Sequence, residues 1–368
     1  MADCLSWVHF GDLHVDEADG YEGTERFTVL TAIAQRHLRD GVAFAFLPGD
    51  NANHGTADQY RQIGTAMAGL DLPWHVIPGD HDFEPGDLDA LRAVASRQAP
   101  YAVTIEGYRC LFLDIVSAGD GGPNFRIDPA QRGWLERELA VATAADVRSV
   151  VFMHAYPGDL KDDPDGIAAL FAAHHVAFVD TGHTHYNELL NDGRVVYGAT
   201  RSTGQTEEGP PGFTVVTLDD GVPSWRFQPI DGAWPLVQII SPADRRLVTD
   251  PADPRQVPTG DVAVRAKVFG RHGTATVAVD DGVPTTMTRA ADGVWAALLA
   301  AVPDGLHRIT VAADGRCDVI ETLVRSPAST PKRAAPVALG RDAHAVGAWP
   351  QAGILGSQLG PNKNGAGW

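Results

Sequence analysis

The sequence predicts an α/β fold for its first two-thirds and a smaller all-β domain behind it. Short apolar runs alternate with amphipathic stretches in the first part, and helical periodicity disappears after about residue 239, where short strands with DG turns follow. Strands that alternate with helices imply a mostly parallel, buried sheet with helices on both faces. The 368 residues also exceed what one ordinary core needs, so we expect two domains.

Six elements are predicted in the first hundred residues. Branched and aromatic residues dominate three apolar runs, which is typical of buried strands, and apolar residues recur at helical spacing between them. The first helix is expected to stop at Gly41, and Asp87 is a candidate N-cap of the third helix. The predicted segments are strands 5–10, 42–47 and 73–78 and helices 25–38, 56–70 and 87–97.

The following 130 or so residues continue the alternation and then change to strands alone. A hairpin is predicted over 101–116, and helix 128–142 carries Pro129 in its first turn. The closing run of strands predicts a second sheet or an antiparallel extension, so that α/β or α/β/β/α layers result. The remaining predicted segments are strands 149–154, 176–183, 195–200 and 212–230 and a helix near 165–174.

Three regions follow from this pattern. Residues 1–235 form the predicted α/β domain, and residues 236–326 form a small β-sandwich whose strand and turn pattern resembles an immunoglobulin-like module. Residues 327–368 form a Gly/Pro-rich, irregular C-terminal tail. Its apolar residues are unusual for a disordered linker, so we expect the tail to pack on the protein, near the mouth of the pocket. These residues are Trp349, Ile354, Leu355, Leu359 and Trp368.

The composition narrows the classes of partner. A net charge of −18 argues against binding of a nucleic-acid polymer, whereas a small phosphate substrate stays compatible because bound metal ions can reverse a local field. No apolar run approaches the roughly 20 residues that span a bilayer, and the N-terminus has no signal-peptide pattern, so we expect a cytoplasmic protein. Cys4, Cys110 and Cys317 lie far apart and are predicted to be reduced.

Five segments place Asp or His directly after apolar runs, namely GDLH, GDN, GDHD, FMHAYP and GHTH. Residues beyond the carboxyl ends of neighbouring parallel strands converge at one edge of a sheet. Asp-x-His and His-x-His pairs can face one ion from an extended chain, and the glycines are expected to let the backbone turn sharply. The candidate metal ligands are Asp12, His14, Asp50, Asp80, His154, His183 and His185.

Each segment alone has an ordinary structural explanation. Gly-Asp after a strand is commonly a turn, and a lone strand-end histidine such as His154 is more often a hydrogen-bonded structural residue. Five such segments in order favour a metal site over five separate turns. Imidazole and carboxylate together suit first-row ions, so Mn²⁺, Fe and Zn²⁺ are all compatible.

The order of these motifs resembles the pattern of the calcineurin-like metallophosphoesterase family: Asp-x-His, Gly-Asp, Gly-Asn-His-(Asp/Glu), a lone His and Gly-His-x-His. The helix QRGWLERELA (131–140) also resembles the Gln-x-x-Trp-Leu helix of the branch with bacterial class III cyclic-nucleotide and glycerophosphodiester phosphodiesterases. The resemblance covers roughly residues 5–230. It implies that domain 1–235 is a four-layer α/β/β/α sandwich with two metal ions.

The resemblance also implies a role for each residue. Asp50 would bridge the two metal ions, and a hydroxide between them would attack the phosphorus. His81 would act as hydrogen-bond donor or general acid, with Asp82 orienting it, although an ordinary turn residue is the alternative for His81. One ion would be held by Asp12, His14 and His185, and the other by Asp80, His154 and His183.

Asp80 departs from the family pattern, which usually has Asn there. Three outcomes are open for the extra carboxylate: it ligates as an anion, stays protonated or lies away from the metal. If it ligates, a pair of Fe³⁺ and a divalent ion (M²⁺) with three carboxylates has the same net charge as two divalent ions with two carboxylates. Asp80 is therefore hypothesised to favour a trivalent first ion, or a substrate with less negative charge, such as a diester.

Contacts with the substrate are less well defined by the sequence. Asn51, Asn53 and Asn124 could touch the phosphate or line the pocket, but loop roles compete with this interpretation. Arg201 follows a strand and could pair with a substrate anion in bidentate fashion, with a surface salt bridge as the alternative.

The favoured function is hydrolysis of phosphodiester bonds in small molecules such as cyclic nucleotides or glycerophosphodiesters. A phosphomonoesterase would use every one of the same ligands, so the sequence does not separate the two. A non-catalytic binding protein on this scaffold, and a carbohydrate- or surface-binding protein led by the C-terminal module, are the alternatives from other classes. The appended module also makes a homodimer reasonable.

Overall fold

The computed structural model describes residues 4–290, 292–326 and 344–356. The first domain contains two mixed sheets that face each other. In the first sheet, of order β11-β10-β1-β2-β3, the last three strands are parallel and the first two are antiparallel additions. Its strands are β1 (Cys4–Phe10), β2 (Phe44–Leu47), β3 (Trp74–Val76), β10 (Gly212–Asp219) and β11 (Val222–Pro229).

The second sheet has the order β4-β5-β6-β7-β9-β8, with four parallel strands in the middle and an antiparallel strand at each edge. The predicted hairpin over 101–116 is confirmed as its first two strands. The strands are β4 (Tyr101–Ile105), β5 (Tyr108–Phe112), β6 (Ser149–Phe152), β7 (Phe178–Thr181), β8 (Glu188–Asn191) and β9 (Val196–Ala199).

Aromatic side chains fill the space between the two sheets. Trp7 of the first sheet lies edge-on to Phe152 and Phe178 of the second, with ring centroids 5.5 and 5.9 Å apart. Asp180 joins the sheets as well, because it accepts hydrogen bonds from Trp7 Nε1 at 2.6 Å and from His9 Nδ1 at 2.8 Å. A buried carboxylate is thereby satisfied within the apolar layer, and the relative position of the sheets is fixed.

Five helices cover the outer faces of the sheets. The first three pack on the first sheet through residues such as Phe27 and Tyr60, and the last two pack on the second through Leu135 and Phe171. The predicted four-layer α/β/β/α sandwich is therefore confirmed. The helices are α1 (Glu22–His37), α2 (Ala57–Met67), α3 (Asp89–Val94), α4 (Pro129–Ala144) and α5 (Pro164–Ala173).

Side chains cap the N-terminal ends of α2, α4 and α5, whereas α1 and α3 begin without a side-chain cap. In α4, Asp128 accepts from the amides of Ala130 and Gln131, and Pro129 occupies the first turn, as predicted. Helix α3 is shorter than predicted and begins after Leu88 without a side-chain cap. Asp87 accepts a hydrogen bond from the amide of Asp89, but Leu88 and not Asp87 occupies the N-cap position, so the predicted N-cap is wrong.

The second domain contains two four-stranded antiparallel sheets, of order β12-β13-β17-β16 and β15-β14-β18-β19. Val264, Trp295, Ile309 and Ile320 belong to the same buried core, so the two sheets form a sandwich. The strands are β12 (Leu236–Ser241), β13 (Val262–Phe269), β14 (Ala275–Val279), β15 (Thr285–Thr286), β16 (Thr288–Arg289), β17 (Trp295–Leu299), β18 (Gly305–Ala313) and β19 (Arg316–Val324).

The C-terminal segment 344–356 returns to the first domain. Ala345 forms an antiparallel bridge with Leu190, and Trp349 lies beneath Arg246 at 4.8 Å. Of the predicted anchors, Trp349 and Ile354 are buried and Leu355 is half exposed. Leu359 and Trp368 lie outside the described residues.

Two smaller predictions can also be compared with the structure. All three cysteines are free, as predicted. Within the described ranges, no helix is long and apolar enough to cross a membrane.

Candidate metal centre

The predicted ligands all lie at one shared edge of the two facing sheets. Each follows the carboxyl end of a parallel strand, where α/β proteins place their ligands. The first sheet supplies the three carboxylates and one histidine, and the second sheet supplies three histidines. Asp12 and His14 follow β1, Asp50 follows β2, Asp80 follows β3, His154 follows β6, and His183 and His185 follow β7.

The seven side chains divide into two buried groups that share Asp50. Within each group, one ligand atom from every residue lies within 4.8 Å of the others. Two four-membered groups of Asp and His with a common carboxylate fit a dinuclear metal site. The first group is Asp12, His14, Asp50 and His185, and the second is Asp50, Asp80, His154 and His183.

Neighbouring groups fix which ring nitrogen faces the centre. His154 Nδ1 lies 2.9 Å from the carbonyl oxygen of Pro48, so this nitrogen carries the proton. Its Nε2 then faces Asp50 and Asp80, at 3.4 and 3.3 Å from their carboxylate oxygens. Hydrogen bonds of this kind hold ligand histidines in one tautomer.

His14 is held in a similar way. Its Nδ1 lies 3.1 Å from Asn53 Oδ1, and its Nε2 lies 2.9 Å from Nε2 of His185. Burial lowers the pKa of His14 to about 3 and also lowers the pKa of His185. Both rings are therefore neutral at pH 7, and their lone pairs are available to a cation.

The pKa values of the two carboxylates in the first group are shifted in opposite directions. Burial raises the pKa of Asp12 to about 8, with His154 opposing this and Asp50 adding to it. For Asp50 itself, burial is outweighed by His154 and His14, and the pKa lies well below its usual range. Asp12 Oδ1 is buried and forms no hydrogen bond within the described part of the chain. An inward-facing carboxylate oxygen beside neutral imidazoles is the donor set that a metal ion would satisfy.

Four of the seven ligands have a left-handed backbone, which the sequence analysis did not predict. The φ values are 41° for His14, 49° for Asp50, 68° for His183 and 62° for His185. Non-glycine residues adopt this region uncommonly, and Asp and His tolerate it better than most. The surrounding structure therefore holds the ligands in an orientation that an extended chain would not give.

The sharp turn predicted at the motif glycines is found only at Gly49, since Gly11, Gly79 and Gly182 do not have a positive φ. Gly79 and Gly182 are required for close approach rather than for a sharp turn. A Cβ at Gly79 would lie 2.2 Å from Asp50 Oδ1, and one at Gly182 would lie 2.3 Å from Asp12 Oδ1. Any side chain there would displace a ligand carboxylate.

Asp82 does not orient His81, contrary to prediction. It is buried and accepts hydrogen bonds from the amides of Gly79 and Ala52, both at 2.9 Å, and from Asn51 Nδ2 at 3.1 Å. These donors lie on the two loops that carry Asp50 and Asp80. Asp82 therefore ties the loops together behind the ligands. Asn51 is fully buried in the same network, so the prediction that it contacts the substrate is also wrong.

His81 lies beside the first group, as predicted, but another partner holds it. Its Nδ1 contacts the carbonyl oxygen of Asn53 at 2.9 Å, and its ring is edge-on to His14 at 4.8 Å. Burial lowers the pKa of His81, but Asp50, the Asn53 carbonyl and Asp80 outweigh it, so the net pKa is raised. The ring is one-third exposed. It is thus the predicted polar residue that a bound substrate can reach.

Arg201 is a buried structural residue and does not face the pocket, so its predicted role in substrate binding is wrong. Its side chain is 3% exposed and lies 3.3 Å from Glu208. It donates to the carbonyl oxygens of Pro210 and Gly353, both at 3.1 Å, and stacks over Phe227 at 4.4 Å. Arg201 anchors segment 344–356 to the loop that follows β9.

Sequence reasoning missed the residues around the ligands. Glu207 Oε1 lies 3.5 Å from His185 Nδ1, and Glu84 Oε1 lies 3.2 Å from His81 Nδ1. On the other side, the ring of Phe125 lies edge-on to His183 at 4.8 Å. Glu207 and Phe125 carry no local signal because tertiary folding brings their loops to the site, whereas Glu84 lies only three positions after His81.

Comparison with known proteins agrees with this geometry. Residues 6–187 match the sequence profile of calcineurin-like phosphoesterases. The 3',5'-cyclic adenosine monophosphate phosphodiesterase CpdA of Escherichia coli K12 is 29% identical over 189 residues, which cover 48% of this chain and 66% of CpdA. A probable cyclic nucleotide phosphodiesterase of Fibrobacter succinogenes is 26% identical over 238 residues, or 61% of this chain and 86% of that protein. The aligned region thus spans slightly less than two-thirds of CpdA.

The fold has counterparts among solved structures. Purple acid phosphatase PPD1 from yellow lupin seeds superposes with a TM-score of 0.50 at 14% identity, over 63% of this chain and 53% of that protein. At this level of identity the likeness concerns the fold alone.

Proposed function

Since residues 6–187 belong to the calcineurin-like phosphoesterase family, we propose that this protein is a metal-dependent hydrolase of phosphodiester bonds in small molecules. Cyclic nucleotides and glycerophosphodiesters are the leading substrates. The observation that carries the proposal is the pair of buried Asp/His groups that share Asp50. No predicted ligand position has lost a side chain able to bind metal, which disfavours a non-catalytic scaffold.

The ligand roles follow the two groups. Asp12, His14 and His185 would hold one ion, Asp80, His154 and His183 the other, and Asp50 both. When bound, two such ions supply an activated water and neutralise negative charge on the phosphate. Mn²⁺, Fe and Zn²⁺ all suit this donor set.

The chain's own residues would complete the site. His81, held through Nδ1 by the Asn53 carbonyl, presents its other ring nitrogen and would donate a hydrogen bond or a proton to the departing oxygen. Asp82 would hold the loops that carry Asp50 and Asp80 in fixed relative positions. Phe125 covers the second group and would exclude bulk water from that side.

Charge around the site supports a diester substrate. Glu84 and Glu207 lie next to His81 and His185, and Asp80 adds a third carboxylate to the ligands. A dianionic monoester would meet more repulsion here than a monoanionic diester, because each close pair of like charges is unfavourable. The two curated relatives carry the names of cyclic nucleotide phosphodiesterases, which agrees with this choice.

Metal content and turnover together test the proposal. We would measure both for the wild type, for Asp50→Asn and for a control, Asp280→Asn, whose carboxylate is exposed on the C-terminal sandwich. The substrates are bis(p-nitrophenyl) phosphate and p-nitrophenyl phosphate. We expect two metal ions per chain, faster turnover of the diester, and loss of both metal and turnover in Asp50→Asn alone.

Other outcomes are equally informative. Turnover of the monoester alone would replace the proposal with a phosphomonoesterase on the same site. Absence of metal and turnover after reconstitution would make the protein a binding scaffold.

The third carboxylate carries a narrower proposal about the metal. If Asp80 ligates as an anion, the centre has three carboxylates. With one trivalent and one divalent ion, its net charge then equals that of a centre with two carboxylates and two divalent ions. Asp80→Asn is then expected to lower the iron content and the preference for diesters. Only divalent ions in the native protein, with no change in Asp80→Asn, would contradict this idea.

A further inference from the structure

A second cavity lies far from the metal ligands, between the C-terminal end of α1 and the second domain. It has a volume of about 400 Å³. Arg36 and Asp40 reach it from the first domain, and Lys267, Arg271 and Arg289 reach it from the second. Both domains therefore contribute charged side chains to one concave surface.

The arginines of this cavity are not neutralised by the protein. Arg36, Arg271 and Arg289 are exposed, and none of them forms an ion pair with any described residue. Elsewhere the arginines are mostly paired, as expected for a chain with a net charge of −18. Three unpaired guanidinium groups at one cavity in so acidic a protein create a local positive potential that attracts anions.

The two carboxylates of the cavity are engaged by other cations. Asp40 lies 3.4 Å from Arg39, and Asp292 lies 3.8 Å from Arg265. Neither Arg39 nor Arg265 lines the cavity. The positive charge of the cavity is thus only partly offset.

Lys267 adds an oriented donor. Its Nζ donates to Ser6 Oγ at 2.8 Å and to the carbonyl oxygen of Gly41 at 3.0 Å. An ammonium group has three N–H donors, so one more can be given to a ligand. These two bonds also hold the lysine at the junction of the domains, which lowers the entropy lost when a ligand binds.

We propose that this cavity binds a small, multiply charged phosphate compound of the size of a nucleoside diphosphate. Guanidinium groups match the oxygen geometry of phosphate in bidentate fashion, and several of them suit a group with more than one negative charge. The volume lies within the range of small-molecule pockets. A nucleic-acid polymer does not fit, because it would extend from this patch over an acidic surface.

Binding here would link the two domains. A ligand held by Arg36 on α1 and by Arg271 and Arg289 on the β-sandwich would bridge both parts of the chain. This gives the appended domain a role in ligand recognition that is separate from the metal centre.

The test is calorimetric titration of the metal-loaded protein with adenosine 5'-(α,β-methylene)diphosphate, which resists hydrolysis. Succinate serves as a dicarboxylate comparison. We would compare the wild type with Arg271→Ala/Arg289→Ala and with Arg316→Ala, an exposed arginine at the start of β19 that forms no ion pair among the described residues. Asp50→Asn identifies any binding at the metal centre.

We expect a binding event that persists in Asp50→Asn and in Arg316→Ala and weakens by about tenfold or more in the double variant. Without ligand, all the arginine variants should melt like the wild type, because the replaced residues make no ion pairs. Equal affinity in the double variant and the wild type would overturn the proposal. Equally tight binding of succinate would overturn the choice of phosphate over carboxylate.

Discussion

Arg201 offers the sharpest test of the structure, because a substrate contact and a buried anchor predict opposite results. The perturbation is Arg201→Met, which keeps an apolar stem over Phe227 and removes the guanidinium group. If Arg201 bound substrate, KM would rise and stability would change little. The structure predicts the reverse, since the side chain contacts Glu208 and two backbone carbonyls instead of the pocket.

The magnitude follows from burial. The side chains of Arg201 and Glu208 are 3% and 5% exposed, so the variant leaves a buried carboxylate without its cation. Breaking a buried ion pair in this way costs about 3–5 kcal/mol. For a domain of this size, such a loss lowers the melting temperature by roughly 10 °C.

The assay is thermal and urea denaturation of the wild type, of Arg201→Met and of Arg245→Met. Arg245 is a matched control because it also pairs with a glutamate, Glu321, but the two side chains are 48% and 38% exposed. Exposed pairs contribute at most about 1 kcal/mol, so the control should melt within a few degrees of the wild type.

Kinetics complete the comparison. At a temperature where Arg201→Met is folded, its KM for bis(p-nitrophenyl) phosphate should match that of the wild type. A stability loss below about 1 kcal/mol combined with a raised KM would refute the anchor role and restore the substrate role.

Three further predictions concern other positions. Gly182→Ala would place a Cβ 2.3 Å from Asp12 Oδ1, so we expect this variant to lose bound metal, and normal metal content would contradict the packing argument. The control is Gly64→Ala in α2, where the nearest contact of the added Cβ is at 3.7 Å, and this variant should instead stabilise the fold by about 0.5–1 kcal/mol. Burial lowers the pKa of His75 from 6.5 to about 4, so its contribution to stability is complete above pH 6.5 and up to about 3 kcal/mol is lost as the pH falls to 4. His75→Gln should remove this part of the acid sensitivity in urea titrations, and an unaltered pH dependence would exclude it. Asp82→Asn replaces a carboxylate that accepts from several N–H groups, so we expect its free energy of unfolding to fall by about 2 kcal/mol and its metal retention to weaken. Wild-type stability and metal content in this variant would show that the loops do not need the carboxylate.

The elements that sequence reasoning predicted well are those fixed by local chemistry. The start of α4 depends only on residues 128–131, where Asp128 caps the amides of the first turn and Pro129 opens the helix. The apolar runs of β1 and β2 can likewise be recognised without knowing their distant partners. The metal ligands could be predicted for a related reason. Each follows a strand, and strand ends converge whatever the details of packing.

The errors arose where side-chain roles depend on distant residues. Arg201 follows a strand near the ligands, but its partner Gly353 lies 152 positions away and has no signal near residue 201. Asp82 directly follows His81 in the sequence, but two of its donors, Asn51 and Ala52, lie 31 and 30 positions earlier. Position after a strand predicts that a residue lies near the site, but not which way its side chain points.

The origin of the ligands in both sheets has a consequence for the order of folding and metal uptake. His14 and His185 are 171 positions apart, yet their Nε2 atoms lie 2.9 Å from each other. Closing a loop of that length costs about 5 kcal/mol in chain entropy. Because the folded chain has already met this cost through its apolar layer and Asp180, an ion encounters a preassembled cage, and the unfolded chain is a far poorer chelator. Bound metal should therefore raise the thermal stability of the first domain, and a strong chelator should lower its melting temperature without unfolding it.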